Sequence, residues 1–261
     1  MLGEVSSAPA IALELDGPLA VATLARAPVN AIDEPWLARL DEVLGIVEAS
    51  RQAGVLLLRS SARAFSAGAD LALMRSRMAD AAGRARMVEF VREIQRVFAR
   101  LERLPQVSIA EIGGAALGGG LELALACDLR IAATEARLGL PEARLGLVPG
   151  AGGTQRLTRL AGEALAKRLI LGAETVTGDE AAAIGLVQWS APAADLAARA
   201  RSIASAIAAL PAAALARCKR CIGAAVAGDP GGYEMELAAT AELLADARTQ
   251  DLVRRFLDRQ R

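Results

Sequence analysis

Two glutamates stand where a carboxylate could do acid–base chemistry. Glu122 is the second residue after glycines 118–120, in an otherwise apolar helical segment, and Glu142 follows Pro141. Apolar surroundings disfavour the charged form of a carboxyl group and raise its pKa toward values that suit proton transfer. Taken singly, each has an ordinary interpretation: Glu122 as a helix N-terminal carboxylate that interacts with the dipole, and Glu142 as a surface residue paired with Arg144.

Three glycine-rich segments exceed what ordinary turns need, because glycine runs cost conformational entropy and persist where a backbone turns sharply or approaches a ligand. They span residues 64–70, 113–120 and 149–154. The second ends at a predicted helix N-terminus, where free N–H groups and the helix dipole favour a phosphate or a developing oxyanion. No P-loop or dinucleotide-binding pattern accompanies it, and close helix–sheet packing is a purely structural alternative. Beside this run, the two glutamates together favour catalysis.

The composition narrows the chemistry. The 261 residues include 30 Lys and Arg, 30 Asp and Glu, and no histidine. Nucleophile systems and zinc sites built on histidine are therefore excluded, and the balanced charge gives no reason to expect nucleic acid or a membrane surface as a partner. Cys218 and Cys221 form a C-x-x-C in a helical pattern, for which we expect two reduced, half-buried thiols.

Two segments bear on the cellular location of the protein. Residues 1–15 lack a basic region followed by an apolar block, so no signal peptide is predicted. The most apolar stretch, 107–133, is interrupted by four charged residues and is predicted to be buried core and not a membrane span. A reducing setting, cytoplasmic or in an organelle matrix, is expected, and we favour the cytoplasm.

The elements that must position the glutamates alternate in type along the first part of the chain. Strands are predicted at 11–15, 19–24, 55–58, 107–112 and 129–132, and helices at 33–49, 87–104 and 121–127. Apolar residues at helical spacing are predicted to face inward, namely Trp36, Leu37, Leu40, Val43, Leu44 and Val47 on the first helix and Phe90, Val91, Ile94, Val97, Phe98 and Leu101 on the second. This recurrence implies crossover connections, parallel pairing and an α/β fold. Alanine-rich helical segments follow, at 162–172, 178–184, 195–210, 212–227 and 231–257. This helical tail could be a lid or an oligomer interface.

The motifs resemble those of the enoyl-CoA hydratase/isomerase (crotonase) family. Residues 64–71 (AFSAGADL), 116–124 (ALGGGLELA), and 139–142 with 147–157 (GLPE, LVPGAGGTQRL) match in the right order. The resemblance starts at residue 26 and thins after about residue 190. It implies an α/β fold with a spiral of repeated ββα turns over residues 1–195. It also implies an α-helical C-terminal region over 196–261 that supports trimers, often stacked as hexamers, and covers the active site.

The resemblance also implies roles for individual residues. The backbone N–H groups of Ala67 and Gly119 would form an oxyanion hole for a thioester carbonyl. Glu122 would orient and deprotonate the water that attacks C3, and Glu142 would hold that water and deliver a proton to C2. Contacts with CoA or substrate are expected at Arg26, Ala64, Ala67, Gly68, Ala69, Asp70, Leu71, Gly118, Gly119 and Pro141.

Three further residues are weaker candidates for CoA contacts. Arg63 is one by position and charge only. Phe256 and Arg259 stand where the family usually carries a further aromatic residue and a lysine, and the chain departs from that pattern there.

Retention of both glutamates favours an enoyl-CoA hydratase of fatty-acid or related acyl-CoA breakdown. It would act as a homo-oligomer, a trimer or dimer of trimers, with no metal and no cofactor beyond the CoA moiety of its substrate. The alternatives are an enoyl-CoA isomerase or other acyl-CoA lyase on the same site, and a CoA- or RNA-binding accessory protein without catalysis.

Overall fold

A computed structural model describes residues 9–259 of the chain. The strands are β1 (Ile11–Asp16), β2 (Leu19–Leu24), β3 (Val55–Ser60), β4 (Ala64–Ser66), β5 (Val107–Ile112), β6 (Ala115–Leu117), β7 (Leu129–Ala133), β8 (Arg137–Gly139), β9 (Thr175–Thr177) and β10 (Trp189–Ala191). The helices are α1 (Glu34–Ala49), α2 (Leu71–Arg77), α3 (Ala81–Arg103), α4 (Gly119–Leu125), α5 (Gly153–Leu171), α6 (Gly178–Ala183), α7 (Ala193–Ala208), α8 (Ala212–Ala227), α9 (Gly232–Ala245) and α10 (Ala247–Asp258), with a 3-10 helix at Pro141–Leu145.

The strands form two sheets that the chain visits alternately. The larger has the order β1-β2-β3-β5-β7-β10 and the smaller the order β4-β6-β8-β9. Strands β3, β5 and β7 pair in parallel, and the strands that follow them, β4, β6 and β8, pair in parallel in the smaller sheet. Each turn therefore adds one strand to each sheet before helices return the chain. This arrangement confirms the predicted spiral of ββα turns, the parallel pairing and the helical C-terminus.

Helices α1 and α3 supply much of the core. The six apolar residues predicted on one side of α1 are all buried, namely Trp36, Leu37, Leu40, Val43, Leu44 and Val47. Helix α3 buries Phe90, Ile94, Val97, Phe98 and Leu101, whereas Val91 is only half-buried. It begins six residues before the predicted start at residue 87, because the Asp80 side chain caps it by accepting a hydrogen bond from the Gly83 N–H at 2.6 Å.

Two other predicted helices have different limits. Helix α5 begins at Gly153, nine residues before the predicted start, and kinks at Gly162, where φ is 81°. The predicted helix 231–257 is two helices, because Asp246 ends α9 and caps α10 by accepting a hydrogen bond from the Thr249 N–H at 2.9 Å. The Asp246 side chain therefore fixes a helix limit that apolar periodicity leaves open.

Helix α7 belongs to the sheet-bearing core. It packs on β3, β5 and β7, and Leu196, Ala200 and Ala204 are buried there. The predicted boundary between residues 195 and 196 falls inside this helix, so the core extends to the end of α7 at Ala208. Helices α8 to α10 bury only Ala224 and Ala239.

On α8, Cys218 is exposed and Cys221 is half-buried, and both are free thiols. The predicted half-burial is therefore wrong for Cys218.

Within residues 9–259, no single helix is long and apolar enough to cross a membrane. The bent pair α7 and α8, at 99° to each other, meets the length and composition together, but α7 is packed on the sheet. The prediction about an N-terminal signal falls partly on residues 1–8, and the predicted C-terminal region ends on residues 260–261. Both of these stretches lie outside the described residues.

Candidate active site

The second glycine-rich segment ends where α4 begins. Gly119 is the first residue of the helix, so its N–H has no partner within the helix. This N–H lies against the first glycine-rich segment, because a Cβ built on Gly68 would come within 2.9 Å of the Gly119 nitrogen. Gly68 has a φ of +89°, in the region that favours glycine. The two segments therefore meet through their backbones, with no side chain between them.

The second free backbone donor is Ala69 and not Ala67. The Ala67 N–H donates to the Val29 carbonyl at 2.9 Å, so it is not available to a substrate oxygen. The predicted role of Ala67 in an oxyanion hole is therefore wrong. The Ala69 N–H has no acceptor within the described part of the chain, and its nitrogen lies 3.5 Å from the position that a Cβ on Gly119 would take.

A short parallel bridge explains which N–H groups are free. The Ile32 N–H donates to the Gly68 carbonyl, and the Asp70 N–H donates to the Ile32 carbonyl, both at 2.9 Å. In an extended segment the backbone groups of successive residues alternate in direction. The N–H of the intervening Ala69 therefore points away from Ile32 and toward Gly119.

Glu122 lies on α4, 3% exposed, and faces the loop that leads into α5. Its Oε1 accepts a hydrogen bond from the Gly153 N–H at 2.7 Å, and the Ala151 N–H also faces the carboxylate and favours its ionised form. Burial raises the pKa of Glu122 to about 7, and the neighbouring Glu142 charge also raises it, whereas the two backbone donors and Arg156 lower it. A carboxyl group with this pKa can gain or lose a proton near neutral pH.

Glu142 lies in the 3-10 helix that Pro141 begins. Its Oε1 is 3.1 Å from the position that a Cβ on Gly118 would take, and its buried Oε2 has no hydrogen-bond partner among the described residues. Burial raises the pKa of Glu142. The alternative of a surface pair with Arg144 is not supported, because Arg144 donates instead to the Ala173 carbonyl at 2.8 Å.

Arg26 is held by carboxylates of its own chain. Its guanidinium pairs with Asp33 at 2.5 Å and approaches Asp70 at 3.8 Å, and it donates to the Ala31 carbonyl at 3.0 Å. Asp70 also caps α2. The structure therefore gives both Arg26 and Asp70 structural partners. Leu71, the first residue of α2, is exposed beside them.

The predicted CoA contact at Ala64 is not supported by its position. Ala64 is buried in β4, and its carbonyl already accepts hydrogen bonds from Ser60 Oγ at 2.7 Å and Asn30 Nδ2 at 3.2 Å.

The weaker candidates lie away from the glutamates. Arg63 is exposed on the turn before β4. Phe256 is exposed on α10, which packs on α9, and Arg259 caps α10. Within residues 9–259 nothing brings Phe256 or Arg259 to the glutamates of the same chain.

Asn30 is a residue that the sequence analysis missed. It is fully buried with a φ of +50°, a conformation that asparagine tolerates better than most residues. Its Nδ2 donates to the carbonyls of Ala64 and Phe65 at 3.2 and 3.0 Å and to Ser60 Oγ at 2.8 Å. Its own carbonyl accepts a hydrogen bond from Ser66 Oγ at 2.8 Å. Asn30 thus fixes β4 immediately before the segment that carries the free N–H. The available signal was its place in the segment 26–32 (RAPVNAI), where the family resemblance starts.

No group of three or more His, Cys, Asp and Glu side chains that could hold a metal ion occurs among residues 9–259. The chemistry available here is that of two carboxyl groups beside two free backbone N–H groups. Such N–H groups stabilise a developing oxyanion, and carboxyl groups of raised pKa move protons.

Comparisons with known proteins show which family the chain is similar to. A family model described as enoyl-CoA hydratase/isomerase matches residues 14–260. A short-chain-enoyl-CoA hydratase of Clostridium acetobutylicum is 39% identical over 199 residues, which are 76% of this chain and 74% of that protein. The structure of DspI from Pseudomonas aeruginosa has a TM-score of 0.90 at 33% identity, covering 99% of this chain and 98% of its own. An enoyl-CoA hydratase from Bacillus anthracis has a TM-score of 0.89 at 33% identity, covering 96% of each chain.

Proposed function

The chain belongs to the enoyl-CoA hydratase/isomerase family, and we propose that it adds water reversibly to a trans-2-enoyl-CoA to give a 3-hydroxyacyl-CoA. One observation carries this proposal. Two carboxyl groups, the buried Glu122 and the half-buried Glu142 with its enclosed Oε2, lie close enough for the charge of Glu142 to raise the pKa of Glu122, beside the free N–H of Gly119. Hydration needs one group to take a proton from water and another to give a proton to carbon, and this pair provides both.

The thioester carbonyl oxygen would accept hydrogen bonds from the N–H groups of Gly119 and Ala69. As water adds to C3, negative charge moves onto this oxygen in an enolate-like transition state. Donors already in place stabilise that charge without reorganisation, and loss of one such donor typically lowers the rate by about 100- to 1000-fold. The α4 dipole, with its positive end at Gly119, acts in the same direction.

Glu122 is the proposed base. The Gly153 and Ala151 N–H groups stabilise its ionised form, which takes a proton from the water as the water oxygen bonds to C3. Glu142, whose Oε2 receives no hydrogen bond from the described chain, is the proposed acid that protonates C2. The pair keeps one proton in total, moved from Glu142 to Glu122, and its return through solvent completes the cycle.

The proposal extends to assembly and setting. Large apolar side chains on the C-terminal helices are exposed, namely Ile222, Val226, Tyr233, Leu237 and Phe256. We propose that copies of the chain cover this face in a trimer or dimer of trimers in the cytoplasm. The reaction as described uses side chains, backbone groups and the CoA thioester, and no metal or further cofactor.

The test follows the absorbance of the conjugated thioester of crotonyl-CoA and of medium-chain trans-2-enoyl-CoA. We expect the purified protein to reduce it, and Glu122→Gln and Glu142→Gln to slow the reaction strongly. Glu111→Gln is a matched control, because Glu111 is also a buried glutamate whose pKa is raised by burial, but it lies on β5 and pairs with Arg59. No loss of absorbance with any of these substrates would contradict a hydratase. A gain of absorbance from a 3-enoyl-CoA would instead support the isomerase alternative.

A further inference from the structure

We propose that Arg156 is a positioning residue for Glu122, because it anchors the loop whose backbone N–H groups donate to the Glu122 carboxylate. This inference rests on the proposed function, in which Glu122 is the base. It concerns a side chain on α5 that is 8% exposed and donates no hydrogen bond to Glu122 among the contacts of the described chain.

The first step is the contact between Arg156 and the loop. Arg156 Nη1 donates to the Ala151 carbonyl at 2.9 Å in a buried hydrogen bond. The N–H of the same Ala151 faces the Glu122 carboxylate and favours its ionised form, and Gly153, two residues on, donates to Oε1 of that carboxylate. A displaced Arg156 would therefore displace the loop that carries both N–H groups.

The loop is shaped to receive the guanidinium. Gly152 has a φ of +105°, and a Cβ built on it would collide with Arg156 Nη1. The guanidinium thus takes the space that a side chain at residue 152 would need. The next residue, Gly153, donates to Glu122 at 2.7 Å, so the guanidinium lies over the position immediately before the residue that donates to Glu122.

The other side of the guanidinium is anchored to α3. Arg156 Nε and Nη2 both lie 3.0 Å from Glu102 Oε2. Gln95, also on α3, donates to the Gly150 carbonyl at 2.6 Å. Helix α3 therefore holds the loop at two points, and Arg156 is the buried one. Its forked geometry lets one side chain bond a carboxylate and a carbonyl at once, which a lysine cannot reproduce.

The charge of Arg156 adds a second effect. The charged groups that act on Glu122 are Glu142, from the 3-10 helix, which disfavours the ionised form, and Arg156, from α5, which favours it. Removal of Arg156 should therefore raise the pKa of Glu122 and also loosen its donors. Substitution by lysine keeps the charge and loses the fork, so the two effects can be separated.

The experiment compares the full-length variants Arg156→Met, Arg156→Lys and Arg159→Met. Arg159 is the matched control, because it approaches the same Glu102 at 3.6 Å but makes no contact with the loop among the described hydrogen bonds. One readout is the infrared carboxyl band of Glu122 as a function of pH, identified by its loss in Glu122→Gln. The other is kcat for the enoyl-CoA that the wild type hydrates best.

We expect Arg156→Met to move the Glu122 titration to higher pH and to lower kcat by about 10- to 100-fold, the effect of a small misplacement of a catalytic group. Arg156→Lys should lower kcat while titrating close to wild type, and Arg159→Met should change neither. If Arg156→Met does not fold, Glu102→Gln takes its place, with an expected loss of kcat and little shift in titration.

Equal titration and equal kcat in the Arg156 and Arg159 variants would overturn the inference. The inference would also be overturned if Arg156→Lys kept as much kcat as Arg159→Met, which is expected to match the wild type. Failure of the proposed function has a different signature, because the wild type itself would then hydrate no enoyl-CoA. The infrared titration uses no turnover, so in that case a shift in Arg156→Met but not in Arg159→Met still supports the link to Glu122, and its absence overturns it.

Discussion

The loops around Glu122 and the helices α8 to α10 differ in how fully contacts within the chain bury and pair their side chains. Around Glu122, buried polar groups bond to one another across four segments that are distant in sequence, and Asn30 and Arg156 hold two of those segments in place. On α8 to α10, Ala224 and Ala239 are the only buried residues among those described. Tyr233, 82% exposed, is the extreme case.

The two regions therefore lack different things: the site has polar groups without hydrogen-bond partners among the described residues, and the helices have apolar side chains that are not buried. The free groups of the site are polar, and a substrate with an oxygen to stabilise and a water to activate would satisfy them. The free groups of the helices are apolar, and burial of one large apolar side chain stabilises by about 1.5 to 3 kcal/mol. Changes at the site should therefore lower turnover and leave assembly intact, and changes on the helices should do the reverse.

The largest expected effect is that of Glu122→Gln. Loss of the base should lower kcat by about 100- to 10,000-fold, measured with crotonyl-CoA. The protein should melt no lower than wild type at pH 8. The pKa of Glu122 in the folded protein, about 7, lies above the ordinary value of 4.5. Ionisation of Glu122 therefore lowers the stability of the folded state as pH rises through this range, and the uncharged amide of Gln removes that loss.

Glu111→Gln is the control for this prediction, because the Glu111 carboxyl is also buried but lies on β5 and pairs with Arg59. Comparable losses of kcat in the two variants would remove the distinction between the site and the rest of the core.

Glu142→Gln should lower kcat by about 100-fold and also change the pH dependence of what remains. In the wild type we expect kcat/KM to fall as pH decreases through about 7, because the base must be ionised. The Glu142 charge raises the pKa of Glu122, so its removal should move this decline to lower pH. A decline that stays in place would contradict the direct coupling of the two carboxyl groups.

Local pattern in the sequence predicted the burial of all six inward residues of α1. It also singled out both glutamates, which the structure places beside the glycine-rich segments; their catalytic roles stay a prediction. Strands β4, β6, β8 and β9, three residues each, were missed, because alternation cannot be recognised in so short a segment. Together they form the smaller sheet, so the second strand of each ββα turn came only from the family resemblance.

The error at the oxyanion hole has a similar cause. Ala67 and Ala69 are both alanines beside Gly68, and nothing in their local sequence distinguishes them. What distinguishes them is a bridge to Ile32 and a hydrogen bond to Val29, from a segment more than 30 residues away. Arg156 was part of the motif 147–157, but no role was predicted for it. Its partner Glu102 lies on another helix, distant in sequence.

Asn30→Gly should have an intermediate effect, because this residue serves both the fold and the site. Glycine keeps the left-handed backbone, so the change removes the side-chain hydrogen bonds that Asn30 donates to the Ala64 and Phe65 carbonyls and to Ser60, and the one that it accepts from the Arg26 N–H. Each buried group left unsatisfied costs about 1 to 3 kcal/mol, so both the melting temperature and kcat should fall. We expect about a 10- to 100-fold loss of kcat from movement of the Ala69 donor.

Ser61→Ala is the control for Asn30→Gly, since the Ser61 hydroxyl donates to the Leu24 carbonyl at 3.3 Å near the surface. A stability loss without any loss of kcat would confine Asn30 to the fold and sharpen the division between it and the site.

The smallest effect on the site itself should come from Leu237→Asp on α9. Leu237 is exposed within one chain, so the substitution should leave the fold of that chain nearly unchanged, as surface changes usually do. If copies of the chain cover this face, a charge there should lower the mass measured by sedimentation. Leu15→Asp, on the exposed part of β1, is the matched control and should keep the wild-type mass. A monomeric wild type would contradict the proposed assembly, and a large loss of kcat in Leu237→Asp would show that the C-terminal helices complete the site and do not merely adjoin it.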